Sequence, residues 1–188
     1  MIERLHHAAY RCQDSAATRA FYEGFLGLPL VDALIIEETQ TGRPTAVLHT
    51  FFGLPDGSAI AFFEAPREPF DFKPQHDFDL HLALKVAHAD LLEMLGKAES
   101  EGIEYRGVSD HGFIHSIYLR DPNGYVVELT TKEDGHDEAV DPSQNGARAK
   151  LDNWTKAKRE AGIGPDVAPG FGSVDTGTEI VGTAGERL

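Results

Sequence analysis

Three side chains able to hold a metal ion fall at matching places in a sequence that repeats itself. His7 lies in "LHHAAYRCQD", His81 in "DFDLHLALKV" and Glu128 in "YVVELT". An imidazole binds a divalent ion as a neutral donor and a carboxylate binds it as an anion. Three protein ligands leave open positions for water or substrate. Two His and one carboxylate suit Fe(II), and also Mn(II) or Zn(II). A carboxylate inside a short apolar strand is costly without a partner. A metal answers that need, and Arg11 or Lys85 are the competing partners.

The elements that must position these groups occur twice. "LHHAAYRCQD" alternates as a strand, and "DSAATRAFYEGFLG" follows with helical spacing, Asp14 as N-cap and Gly27 as stop. Ala17, Phe21 and Phe25 share one face of that helix. Strands are expected at "PLVDALII", "TAVLHTFF" and "SAIAFFEA", the last two joined by the turn "LPDG". The order then recurs. "DFDLHLALKV" is a strand, and "HADLLEMLGKAESEG" is a helix with Leu91, Met94, Leu95 and Ala98 on one face. "IEYRGV", "FIHSIYLR" and "YVVELT" are strands, with "DPNG" joining the last two.

His7 falls on His81 at an offset of 74 residues, and Ala61 falls on Glu128 at an offset of 67. A longer loop around "EETQTGRP" accounts for the difference. Strand side chains alternate faces. Leu80, Leu82, Leu84 and Val86 therefore form a face for helices, together with Val127 and Leu129. His7, His81 and Glu128 point the other way, into the space the sheets enclose. Phe51, Phe63, Ile114 and Val126 are expected on that side and suit an aromatic or apolar ligand. A unit that cannot bury both faces of its sheet pairs with its copy.

The reading is α+β: two βαβββ modules forming an open, barrel-like sheet around a metal. Residues 1–132 form the domain, with modules at about 1–66 and 77–132. Residues 133–188 form an extension with a helix over about 142–161 and a flexible tail. Asp141 before Pro142 marks the start of that helix, and Gly162 with Pro165 its stop. Its narrow stripe of Ala147, Leu151 and Trp154 is expected to dock on the domain or across a dimer.

The composition of the 188 residues is that of an ordinary globular protein, and the net charge is −14. So acidic a chain does not suit nucleic acid or an anionic membrane surface. One cysteine, Cys12, excludes an intramolecular disulfide and fits a reducing cytoplasm. No signal pattern and no membrane-spanning run is present. A soluble cytoplasmic protein with a small-molecule partner is expected.

"LHHAAYRCQDSAATRAFYEGFLGL", "DLHLALKV" and "HSIYLRDPNGYVVELT" resemble the vicinal oxygen chelate superfamily. That superfamily includes glyoxalase I, bleomycin and fosfomycin resistance proteins, and type I extradiol dioxygenases. The resemblance covers about residues 1–132. It implies that His7, His81 and Glu128 hold the metal, and that a substrate chelates it through two adjacent oxygens.

The resemblance also separates reactions. Glyoxalase I enzymes carry a further Glu where this chain has Ala61; Glu64 lies three residues along and would need a bulge to take its place. Extradiol dioxygenases are similar to this chain in having a Tyr at the position of Tyr118, and fosfomycin resistance proteins have one near it, so Tyr118 does not separate those two. The dioxygenases also need a proton-transfer group, for which His49 and His111 are the candidates. His49 is favoured, because it falls on Ser116 and shares the cavity face. His115 has the wrong parity and reads as structural. Fosfomycin-type enzymes need a cationic pocket, and Arg11, Lys85 and Arg120 form no evident cluster. Bleomycin-type binding proteins lack the triad. The resemblance thus implies a homodimeric, metal-dependent enzyme, in first place an extradiol dioxygenase of a catechol-like compound. The alternatives are a non-redox glyoxalase-like lyase, isomerase or epimerase, or a small-ligand binding protein.

Overall fold

The repeat is written into the hydrogen-bond ladders of the fold. A computed structural model describes residues 1–163. The first sheet contains β1 (His7–Cys12), β2 (Leu30–Glu38), β3 (Pro44–Gly53) and β4 (Ala59–Glu64), in the order β1-β4-β3-β2. The second contains β5 (His81–Lys85), β6 (Tyr105–Asp110), β7 (Ile114–Arg120) and β8 (Val126–Lys132), in the order β5-β8-β7-β6. His7 stands opposite Ala59 as His81 stands opposite Val126. Ala9 faces Ala61 as Ala83 faces Glu128. Each sheet joins one parallel pair to two antiparallel ones, and neither closes on itself. The fold is α+β, with two βαβββ modules.

Helix α1 (Ser15–Arg19) starts where Asp14 accepts the Ala17 N–H at 2.7 Å. It continues as a π-helical turn, Ala20–Phe25, in which the Leu26 N–H reaches back to the Phe21 carbonyl. The wider turn shifts the phase of the helix. Thr18, Phe21, Tyr22 and Phe25 are buried, and Ala17, expected on the inner face, is exposed. Helix α2 (His88–Glu101) keeps the regular period. Leu91 and Ala98 are fully buried, with Met94 and Leu95 packed beside them, and Gly102 ends it at φ 69°.

One core joins both modules. Tyr22 packs on Phe52 and Phe62, and Leu91, Ile117, Leu119, Val127 and Leu129 extend the cluster. Leu80, Leu82, Leu84 and Val86 line it from β5, as their alternation requires. Phe62 has no exposed surface, so truncation to Ala would cost about 3–5 kcal/mol. The "DPNG" turn is locked beneath the linker. The Gln75 N–H donates to the Gly124 carbonyl, and a Cβ at Gly124 would stand 2.5 Å from the Lys73 carbonyl oxygen. Gly124 also has φ 92°, so any other residue there is strained.

By contact the chain divides into Met1–Ala139 and the part from Val140 onward. A short helix, α3 (His136–Val140), precedes α4 (Ala147–Glu160). Asp141, read as the start of a helix near residue 142, instead accepts from the Ser143 N–H and hydroxyl and from the Gln144 amide. Those bonds satisfy a turn, and α4 begins later, after Gly146 at φ 63°. Leu151 and Trp154 are exposed on it. The expected flexible tail lies outside the described residues. Among the described residues no helix is long and apolar enough to cross a membrane.

Candidate metal centre

Glu128 sits in the middle of β8 with only 4% of its surface exposed. Its two oxygens have different tasks. Oε1 accepts the Ser116 hydroxyl at 2.6 Å, and Oε2 lies 3.1 Å from His81 Nε2. His81 Nδ1 lies 2.6 Å from the Asp77 carbonyl. A carbonyl only accepts, so Nδ1 carries a proton, and Nε2 is the ring nitrogen left to face an ion. A metal-binding imidazole is held in this way, its far N–H spent on a carbonyl and its near nitrogen beside a carboxylate. The residues present therefore fit a divalent ion.

Tyr118 stands opposite Glu128 in the β7–β8 ladder. Its hydroxyl lies 2.9 Å from His111 Nε2, and its ring is 6.5 Å from the ring of His81. Burial, then the charge of Glu128, pushes the phenol above its ordinary range, with the Arg106 charge opposing. The Arg106 guanidinium covers the Tyr118 ring at 4.2 Å and pairs with the Asp77 carboxylate. A neutral phenol bonded to an imidazole can pass a proton to or from a ligand held beside it. Next to it is a cleft of about 250 Å³, lined by His76, Asp77, Arg106, Tyr118, Arg120 and Val126 among others.

His7 and His49 lie together on the first sheet. The His7 ring is 5.5 Å from Phe51 and 6.3 Å from His49, and its Nδ1 is 2.8 Å from that of His6. His49 is buried, its Nδ1 bonded to the Phe62 carbonyl and its ring stacked on Phe63 at 3.6 Å. Among the described residues, no group of three donor atoms closing within 4.8 Å contains His7. Within one chain the structure thus joins His81, Glu128, Tyr118 and His111, and leaves His7 and His49 as a separate pair.

Glu64 has another occupation. It accepts the Ser15 N–H at 2.8 Å at the start of α1, and β4 carries no bulge against either neighbour. Ser116, Arg106 and Asp77 were not singled out from the sequence. Ser116 was legible in principle, since it alternates onto the face of Tyr118. The roles of Arg106 and Asp77 depend on how the linker crosses β6, which no local pattern encodes.

The fold, two open four-stranded sheets built on one repeated plan, is that of a known superfamily. The profile of the Glyoxalase/Bleomycin resistance protein/Dioxygenase superfamily matches residues 4–129, and the chain belongs to that superfamily. No curated protein sequence matches it. Among solved structures it is similar to the fosfomycin resistance protein FosX from Mesorhizobium loti, with 22% identity and a TM-score of 0.55, over 74% of this chain and 99% of that one. It is likewise similar to a glyoxalase/dioxygenase from Nostoc punctiforme, with 24% identity and a TM-score of 0.53, over 70% and 92%. A third is a mutant FosX from Listeria monocytogenes complexed with Mn(II) and 1S,2S-dihydroxypropylphosphonic acid. It shares 19% identity at a TM-score of 0.52, over 69% and 92%. At these identities the likeness is one of fold.

Proposed function

We propose that the chain is a metal-dependent enzyme for a small substrate with two adjacent oxygens. The observation that carries this reading is the His81–Glu128 pair, 3.1 Å apart, with the far side of His81 spent on a carbonyl. A bound divalent ion would supply a Lewis acid for the two oxygens and, if it is Fe(II), a means of activating dioxygen. Tyr118 would hydrogen-bond a substrate oxygen, and His111 would exchange the proton through it. That Tyr–His pair favours extradiol cleavage of a catechol, in which both atoms of O2 enter the ring-opened product. Phe51 and Phe63, beside His7 and His49, suit an aromatic substrate.

A second reading is a non-redox reaction on a phosphonate or similar anion, with Mn(II). It is favoured by Arg106, Arg120 and His76 in the cleft beside Tyr118, and by the ligands of the Listeria protein. Both Arg side chains are paired with acids, Arg106 with Asp77 and Arg120 with Glu104. That pairing weakens their call on a substrate anion and puts this reading second. Oxygen uptake with a panel of catechols after Fe(II) reconstitution separates the two. Catechol-dependent uptake supports the first, and turnover of a phosphonate with Mn(II) and no uptake supports the second.

The third ligand is His7 of a second copy of the chain. Both sheets are open, His7 and His81 begin edge strands, and among the described residues no group of three donor atoms within 4.8 Å includes His7. His7→Ala and His81→Ala should each abolish tight metal binding. Mixing the two under conditions that exchange subunits should restore about a quarter of the sites, because half of the dimers are mixed and each has one intact site. Sites closed within one chain would give no restoration.

A further inference from the structure

The second module carries another cluster of metal-ligating side chains, on the face away from Glu128. His115 alternates with Ser116 and so lies on the opposite side of β7. Its Nδ1 is 3.1 Å from Glu133 Oε1, and His88 Nδ1 is 3.7 Å from the same oxygen. The three donor atoms all lie within 4.8 Å of one another. Ligands of a tetrahedral ion at about 2.0–2.1 Å stand roughly 3.3 Å apart, so the three are already close to the corners of such a site.

The state of Glu133 points to what is missing. Oε1 is shielded from solvent and accepts no hydrogen bond, although two imidazole nitrogens face it. A buried carboxylate oxygen without a donor is unfavourable. A cation between the three groups would satisfy it and would use the lone pairs of both rings. The frame is fixed by the backbone. The Glu133 N–H donates to the Phe113 carbonyl, and the Glu133 carbonyl accepts from the His136 N–H. His115 is buttressed from behind, its Nε2 3.4 Å from Asp110 Oδ1. A carboxylate behind the ring fixes the tautomer that offers Nδ1 to a metal. His88 is the first residue of α2, and its side chain is 61% exposed, which leaves an entry path.

The geometry points to a second divalent-cation site, formed by His88, His115 and Glu133, that takes a Zn(II)-class ion with two nitrogens and one oxygen from the protein. The ion would tie the start of α2 to the exit of β8. It is independent of the centre at His81 and Glu128.

The test uses the full chain, stripped with chelator and titrated with Zn(II), and with Co(II) for its coordination spectrum. Wild type is expected to bind one equivalent more than His88→Ala, with a four-coordinate Co(II) signature that His88→Ala lacks. Glu133→Gln should weaken the same equivalent by at least about tenfold. His88 is exposed, so its replacement does not threaten the fold, and circular dichroism will verify that. The site should persist in His81→Ala, which removes the other centre. Equal stoichiometry and equal Co(II) spectra for wild type and His88→Ala would overturn the assignment.

Discussion

The Tyr22 hydroxyl of the first module donates to the Asp121 carboxylate of the second at 3.2 Å, inside the common core. Around it Asn123 reaches Thr18, and the Gln13 N–H reaches Asn123. The modules are therefore joined by a satisfied buried polar network as well as by apolar packing. Burial pushes the Asp121 carboxyl up, against hydrogen bonds from Asn123, Tyr125 and Tyr22 that favour its charge. An Asp with a raised folded pKa contributes most below its unfolded value of about 3.9, and that contribution is lost as pH rises through the folded pKa.

Asp121→Asn should destabilise the domain by about 1–3 kcal/mol, because its amide sets donor against donor at Tyr22 and Asn123. The loss should be larger in acid than at neutral pH, since only wild type gains from protonation. Urea unfolding at stepped pH measures both. A loss that grows towards neutral pH would contradict the cost assigned to the buried charge.

The Ser116 hydroxyl donates to Glu128 Oε1 and so fixes the carboxylate's orientation. Ser116→Ala should leave the fold intact and weaken divalent-ion affinity by roughly tenfold or more. Isothermal titration of the chelator-stripped protein reads this. Unchanged affinity would mean that Glu128 needs no second partner to hold its position.

Much of this was legible because the chain states its pattern twice. The offsets between His7 and His81 and between Ala61 and Glu128 match the ladders residue for residue. Alternation assigned Leu80, Leu82, Leu84 and Val86 to the core side correctly. Phase within α1 was not legible, because a π-turn changes the period after Arg19 and replaces Ala17 by Thr18 on the buried face. Nor was the cluster at Glu133. It joins the ends of three elements, where parity says which face His115 takes but not what it meets. Parity also says nothing about which copy of the chain supplies a partner for His7.

Glu64, the carboxylate three residues along from Ala61, is engaged at the start of α1. Because its carboxylate holds the Ser15 N–H, Glu64→Ala should cost about 1 kcal/mol of stability and leave metal stoichiometry unchanged. Wild type should form no lactoylglutathione with Zn(II), Ni(II), Co(II) or Mn(II). Thermal melts and a glyoxalase assay test the two halves. Loss of metal in Glu64→Ala, or robust turnover by wild type, would make Glu64 a ligand.

The last prediction concerns α4. Its apolar residues Leu151 and Trp154 are exposed, and Arg148, Lys150, Lys156, Lys158 and Arg159 surround them. An isolated helix of this length is marginal in water, so its persistence requires a surface. Covering Trp154 would contribute roughly 2–3 kcal/mol. The basic residues can meet an acidic body, which adds orientation more than energy. We expect this stripe to be covered in solution. Limited trypsin digestion followed by mass spectrometry should then show Lys150 and Lys156 cut more slowly in wild type than in Trp154→Ala. Trp154→Ala should remove the protection and leave the melting of the domain nearly unchanged. Equal cleavage rates at Lys150 and Lys156 in wild type and Trp154→Ala would mean that nothing covers the stripe.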